Sequence, residues 1–172
     1  MKYLVALAAA FLLAVLGASA MPRAQVLGGT PDLLLILAAC WAVVRGQGEA
    51  MVVVPVAGLL RDLTTSDPLG TSVLALSPIV LLAAVRELRA VETEFVPTLA
   101  VVGAGTLLYW ALGMGVLAAT GQEVPWLDAV LGVALPAALV NALFTPIVYL
   151  PVRWLSPAPR PGTLDLGRTM VS

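Results

Sequence analysis

The sequence predicts an all-α integral membrane protein of six transmembrane helices. Three observations predict it. Of the residues, 60% are hydrophobic and only 11% charged, whereas an ordinary soluble domain carries roughly 25% charged residues. The mean hydropathy is +1.02. Apolar runs recur along the chain, separated by short charged or Gly/Pro-rich breaks. A 172-residue chain cannot hide so much apolar surface in one core, because a domain of this size still leaves a large share of its surface outside. The remainder must face lipid.

The first run, about residues 3–20, follows Lys2 and reaches the roughly 18 residues expected of a membrane span. Its end, Ala18-Ser19-Ala20, also matches the A-x-A end of a secretory signal peptide; the length of the run favours a retained helix. The second run, 32–45, opens after Gly28-Gly29-Thr30-Pro31, where Thr30 can cap and Pro31 suits a first helical turn. It stops at Arg45-Gly46-Gln47-Gly48-Glu49. The third, 50–62, ends in Arg61-Asp62, and the fourth, 71–88, ends in Arg86-Glu87-Leu88-Arg89. These middle runs are short, and runs of roughly 10–14 apolar residues fit buried or re-entrant segments as well as full spans. The fifth run, 95–119, and the sixth, 126–154, are long enough to cross with tilt. Trp126 and Trp154 bracket the sixth as interfacial aromatics do. The Pro-rich tail, 156–172, cannot continue a helix and has little to bury.

Lys and Arg accumulate in cytoplasmic loops. With both termini inside, the cytoplasmic face holds Lys2, Arg45, Arg86, Arg89, Arg153, Arg160 and Arg168, leaving only Arg23 and Arg61 of the nine basic residues outside. Both termini are therefore predicted to be cytoplasmic.

Composition narrows the function. The net charge is −1, and no block of like charge offers a nucleic-acid surface. With no histidine and the lone Cys40 set among apolar neighbours, a Cys/His zinc site is excluded and the thiol reads as packing. An intramembrane aspartyl protease needs two carboxylates sharing a proton, but Asp32, Asp62 and Asp128 all fall at predicted segment ends, none in mid-membrane. A Ser nucleophile lacks a base, and neither the G-x-S-x-G elbow nor a phosphate-cradling loop occurs. The expectation is a protein with no catalytic residues, no cofactor and no metal.

Between the third and fourth runs, Asp67-Pro68-Leu69-Gly70 fits a type I turn, since Pro presets the backbone angle and Asp bonds the turn's own amides. Arg61 and Asp62 precede it and diverge by about 100° if the helix continues. One of them should face the bundle and meet a partner charge or backbone group, and Asp62 reads as a capping or packing residue. In the last run Pro136, Pro146 and Pro151 each remove an amide donor, which membrane helices tolerate where neighbours re-satisfy the backbone. Asn141 between them should hydrogen-bond across helices, a contribution of about 0.6 kcal/mol. The fifth run places Gly103, Gly105, Gly113 and Gly115 among bulkier residues; such small residues let helices approach closely, within this chain or from a partner. Arg89 and Glu92 are spaced for a weak ion pair on a cytoplasmic helical extension.

Pro31-Asp32-Leu33-Leu34-Leu35, then Gly58-Leu59-Leu60-Arg61-Asp62, Pro68-Leu69-Gly70, and a final helix with Asn141 and Thr145-Pro146 resemble, in that order, the bacterial rod shape-determining MreD family. The resemblance spans about residues 1–154; the tail lies outside it. It implies a six-helix fold similar to the substrate-binding components of energy-coupling-factor transporters. It also implies a non-catalytic role in the inner membrane as a partner of MreC, acting indirectly with MreB, RodA and a class B penicillin-binding protein in lateral peptidoglycan synthesis. Asp32, Gly58, Asp62, Pro68, Gly70 and Asn141 are the residues expected to set the fold or a partner surface. The competing expectation is the small-molecule binding component of a transporter, with Trp41, Trp110 and Asn141 lining a pocket.

Overall fold

A computed structural model describes residues 2–19, 29–64, 69–87, 95–119 and 121–155. Its helices are α1 (Lys2–Ser19), α2 (Leu33–Arg45), α3 (Gln47–Thr64), α4 (Thr71–Glu87), α5 (Phe95–Ala119) and α6 (Trp126–Trp154). Among the described residues the architecture is helical, as expected, in these six helices. Two of them, α5 and α6, are long and apolar enough to cross a membrane.

α2 is the centre of the bundle. From Leu34 through Val43 every residue is buried, because a helix apolar on all faces is stable only when surrounded. With 13 residues it is about 20 Å long, too short to cross a hydrocarbon core of about 30 Å. α1, α3, α4, α5 and α6 all pack around it. Ala10 and Ala14, one turn apart on α1, are buried in this core and keep the α1 contact close.

Local chemistry sets the helix ends. Asp32, and not Thr30, caps α2: its Oδ1 accepts from the Leu35 N–H at 3.1 Å. Pro31 therefore precedes the helix instead of opening it. A carboxylate at this position gains from the helix dipole as well as from the amide, which a threonine hydroxyl cannot match. α3 begins directly after Gly46, whose φ of +85° suits glycine and reverses the chain within one residue. The third helix consequently starts earlier than the apolar run at Ala50 suggests, and Arg45 pairs with Glu49 at 2.9 Å across the break.

In α6, Val130–Ala134 forms a π-helical turn. The Leu135 N–H reaches back to the Val130 carbonyl, and Pro136, which has no N–H to give, follows at once. The widened turn relieves the clash that a proline imposes on the preceding carbonyls. Of the small residues in α5, Gly105 packs within the chain, where an added Cβ would lie 3.0 Å from Ile79 Cγ1, while Gly103, Gly113 and Gly115 have nothing within 4 Å.

The Arg89–Glu92 pairing and the Pro-rich tail lie outside the described residues, as does Pro68.

Candidate functional site

Among the described residues two polar clusters tie helices together, and five of the six expected site residues belong to one or the other. The first is assembled by Asp32 at the start of α2. Its Oδ2 accepts from Arg61 Nη1 near the end of α3, which fixes α2 and α3 as antiparallel neighbours. The Arg61 guanidinium lies over the Tyr109 ring of α5, 4.6 Å from its centroid. The backbone N–H of Asp32 donates to Asn141 Oδ1 of α6 at 2.7 Å. Asn141 Nδ2 donates onward to Thr106 Oγ1 of α5 at 3.0 Å, and the Thr106 hydroxyl donates to the Val102 carbonyl at 2.8 Å. Side chains from four helices thus meet at one level.

Asn141 is fully buried, whereas the side chains of Arg61 and Asp32 retain 23% and 19% of their accessibility. Burying one charge alone would be prohibitive, and the pair is tolerated because each charge has the other and at least one further partner. In this arrangement carboxylate, guanidinium, amide and hydroxyl are matched to one another and tie helices together.

The second cluster joins α3 to α4. Asp62, 3% exposed, accepts from the Gly70 N–H at 2.6 Å and from the Ser72 N–H at 2.9 Å. It thereby satisfies amide donors at the start of α4 that have no partner within that helix. Gly70 itself has φ +97°, the left-handed region that glycine enters at little cost. One turn before Asp62, Gly58 faces α4 so closely that an added Cβ would sit 2.7 Å from Val73 Cα and 2.8 Å from Val73 N. Gly58, Asp62 and Gly70 therefore make one structural joint.

Of the adjacent Arg61 and Asp62 one is expected to meet a partner in the bundle; both do, Arg61 a charge and Asp62 backbone groups. Asp32 stands at the start of α2, beside the middle of the much longer α6, so its backbone N–H meets Asn141 while its carboxylate meets the Leu35 N–H and Arg61. Trp41 and Trp110 do not share a lining with Asn141. Trp41 is buried near the far end of α2 beneath Arg45, whose guanidinium lies 5.4 Å from its ring centroid, and Trp110 is turned outward at 36% exposure. Sequence reading missed Thr106 and Tyr109. The available signal was Thr98 and Thr106, eight residues apart and so on one face of α5, both of which are buried.

A model of the family "rod shape-determining protein MreD" matches residues 1–156. No match emerged among curated proteins or among solved structures. The matched region takes in all six helices and both polar clusters, and on that match the chain belongs to the MreD family, membrane proteins that serve rod-shape determination.

Proposed function

We propose that this chain is a non-catalytic scaffold of the cell-elongation machinery, holding the transmembrane helix of MreC against the part of α5 and α6 that its own helices leave uncovered. The observation that carries this reading is the exposure of that hairpin. Between Leu107 and Val133 most of the described side chains are exposed, Leu108, Leu112, Val116, Leu117, Leu127 and Leu131 among them, and Met114 is the buried one. Gly113 and Gly115 have open space where a side chain would stand. Lipid gives no hydrophobic drive between helices, so close approach over small residues is what favours a second helix there.

In this reading the protein sits in the bacterial inner membrane as a multi-pass protein with both termini cytoplasmic, built like the substrate-binding components of energy-coupling-factor transporters. Through MreC it acts with MreB, RodA and a class B penicillin-binding protein in lateral wall synthesis. The test is co-purification in detergent of MreC with the intact chain and with the double variant Gly113→Leu/Gly115→Leu. Because a Cβ at either position would meet nothing within 4 Å, the variant should fold and melt as the parent does while MreC recovery falls several-fold. Equal recovery from a stable variant would remove this surface from the proposal, and no recovery with the parent chain would remove MreC.

A further inference from the structure

The four-helix polar cluster supplies a common height from which to measure the helices. Asp32, Arg61, Thr106 and Asn141 meet there. From that level α2 and α6 run side by side to Arg45 and to Trp154, the same number of residues further on, so the bundle is nearly flush at its arginine-bearing end. At the other end it is not. α3 continues past Arg61 only to Thr64, about 5 Å, and α4 begins beside Asp62. α5 continues past Thr106 to Ala119, about 20 Å, and α6 has already run about 22 Å from Trp126 to Asn141. The hairpin therefore stands about 15 Å above the neighbouring helix ends.

Among the described residues the overhanging part is mostly apolar and exposed, with Leu107, Leu112, Val116, Leu127 and Leu131 all open to the surroundings. The first exposed polar side chains, Gln122, Glu123 and Asp128, come only at its tip. It belongs in hydrocarbon. The opposite flank, which presents Met51, Val52, Leu59 and Leu63 of α3 and Leu74 and Leu81 of α4, also faces lipid, yet α3 has 18 residues and α4 17, about 27 and 25 Å. α5 and α6, with 25 and 29 residues, measure about 37 and 43 Å, against a hydrocarbon thickness of about 30 Å. A tilt of about 20°, the average for membrane helices, brings 43 Å only to about 40 Å. Tilting the whole molecule shortens both flanks together, so it cannot correct a long flank and a short one at once.

We propose that this chain holds the surrounding bilayer in a thickness gradient, thick along the α5–α6 hairpin and thinned along the α3–α4 flank, so that water and lipid headgroups descend to the end of α3 near Arg61. The partner of the α3–α4 surface is thus a thinned lipid leaflet. The proposal is independent of whether MreC binds the hairpin.

Spin labels read this directly, because thinning inverts the order of depths. Leu63 stands near the level of Arg61, while Leu112 stands about 9 Å above the level of Thr106. The full chain is reconstituted in dioleoylphosphatidylcholine vesicles with a nitroxide at Leu63→Cys or at Leu112→Cys, both exposed sites, and a third at Leu131→Cys on α6; Cys40 is buried. Collision with oxygen and with a water-soluble nickel chelate is measured for each. The expected result is a nickel-to-oxygen accessibility ratio several-fold higher at Leu63 than at Leu112 and Leu131. A flat bilayer gives the reverse order, with the higher hairpin sites nearer water, and overturns the proposal. Low access of both reagents at Leu63 would mean that protein covers this flank, which overturns it equally.

Discussion

Asn141, midway along α6, accepts a hydrogen bond at 2.7 Å from the backbone N–H of Asp32, a residue 109 positions earlier in the chain. One side chain thereby joins the start of the central helix to the last helix and, through Thr106, to the fifth. Replacing it with an isosteric apolar group, Asn141→Leu, leaves the Asp32 amide without that acceptor. Leaving a buried donor unsatisfied costs roughly 1–3 kcal/mol, while interhelical hydrogen bonds in membranes average about 0.6 kcal/mol, so a loss of about 1–2 kcal/mol is expected. Thermal unfolding in detergent measures it. Adding Thr106→Val to that variant should cost less than Thr106→Val alone, because the two side chains share one bond. Additive losses would mean that the bond contributes nothing.

The Asp32–Arg61 pair predicts an asymmetry between single and double variants. Arg61→Gln takes from the Asp32 carboxylate the counter-charge it pairs with, and Asp32→Asn takes from the guanidinium the carboxylate it pairs with at the start of α2. Breaking a fully buried pair costs about 3–5 kcal/mol; these groups keep partial access, so about 2 kcal/mol is expected for each single change. The double variant removes both charges and should be destabilised by less than the sum of the two. Melting temperatures of the four proteins in one detergent decide it, and simple additivity would exclude an energetic coupling.

Residue patterns made the helices legible and left their depths hidden. Apolar runs bounded by Arg45-Gly46, Arg61-Asp62 and Trp126 and Trp154 marked the elements, since each boundary carries its own chemistry of charge, turn or interface. Asp62 was readable as a cap because it precedes a Pro/Gly turn, and Asn141 as a cross-helix donor because a buried amide must find a partner. What joins Asp32 to Asn141 is the offset of a short helix against a long one. That offset depends on how α2 packs, and no residue near Asp32 encodes it. Thr106 and Tyr109 were hidden for the same reason: on an apolar helix a hydroxyl that bonds its own carbonyl four residues back looks no different from one that serves a neighbour.

Gly58 tests the α3–α4 joint without touching a charge. The Cβ of Gly58→Ala would meet the Val73 backbone at 2.7 Å and the Ser72 carbonyl carbon at 3.0 Å, and backbone atoms of a packed helix have no rotamer in which to retreat. Overpacking of this kind costs about 1–3 kcal/mol. Gly103→Ala on α5, with nothing within 4 Å, is the control, and should be neutral or stabilising by up to about 1 kcal/mol from helix propensity. Equal melting temperatures for the two variants would show that α3 and α4 are not in contact at Gly58.

The cap at Asp62 separates the need for a charge from the need for an acceptor. Asp62→Ala strands the Gly70 and Ser72 amides in a position 3% exposed, and loss of an N-terminal cap costs about 0.5–2 kcal/mol; burial places this one at the upper end. Asp62→Asn keeps one acceptor oxygen and should fall between Ala and the parent. Gly70→Leu must hold φ near +97° with a side chain in place, at a cost of about 1–2 kcal/mol. In a strain lacking its own copy of the gene, rod shape should then be lost in that order, with Asp62→Ala and Gly70→Leu giving rounded cells and Asp62→Asn a partial defect, at membrane levels followed by immunoblot. Normal rods from both Asp62→Ala and Gly70→Leu would mean that this joint matters neither to the fold nor to the complex, because the same two amides and the same backbone angle are what bring α4 against α3 at Gly58.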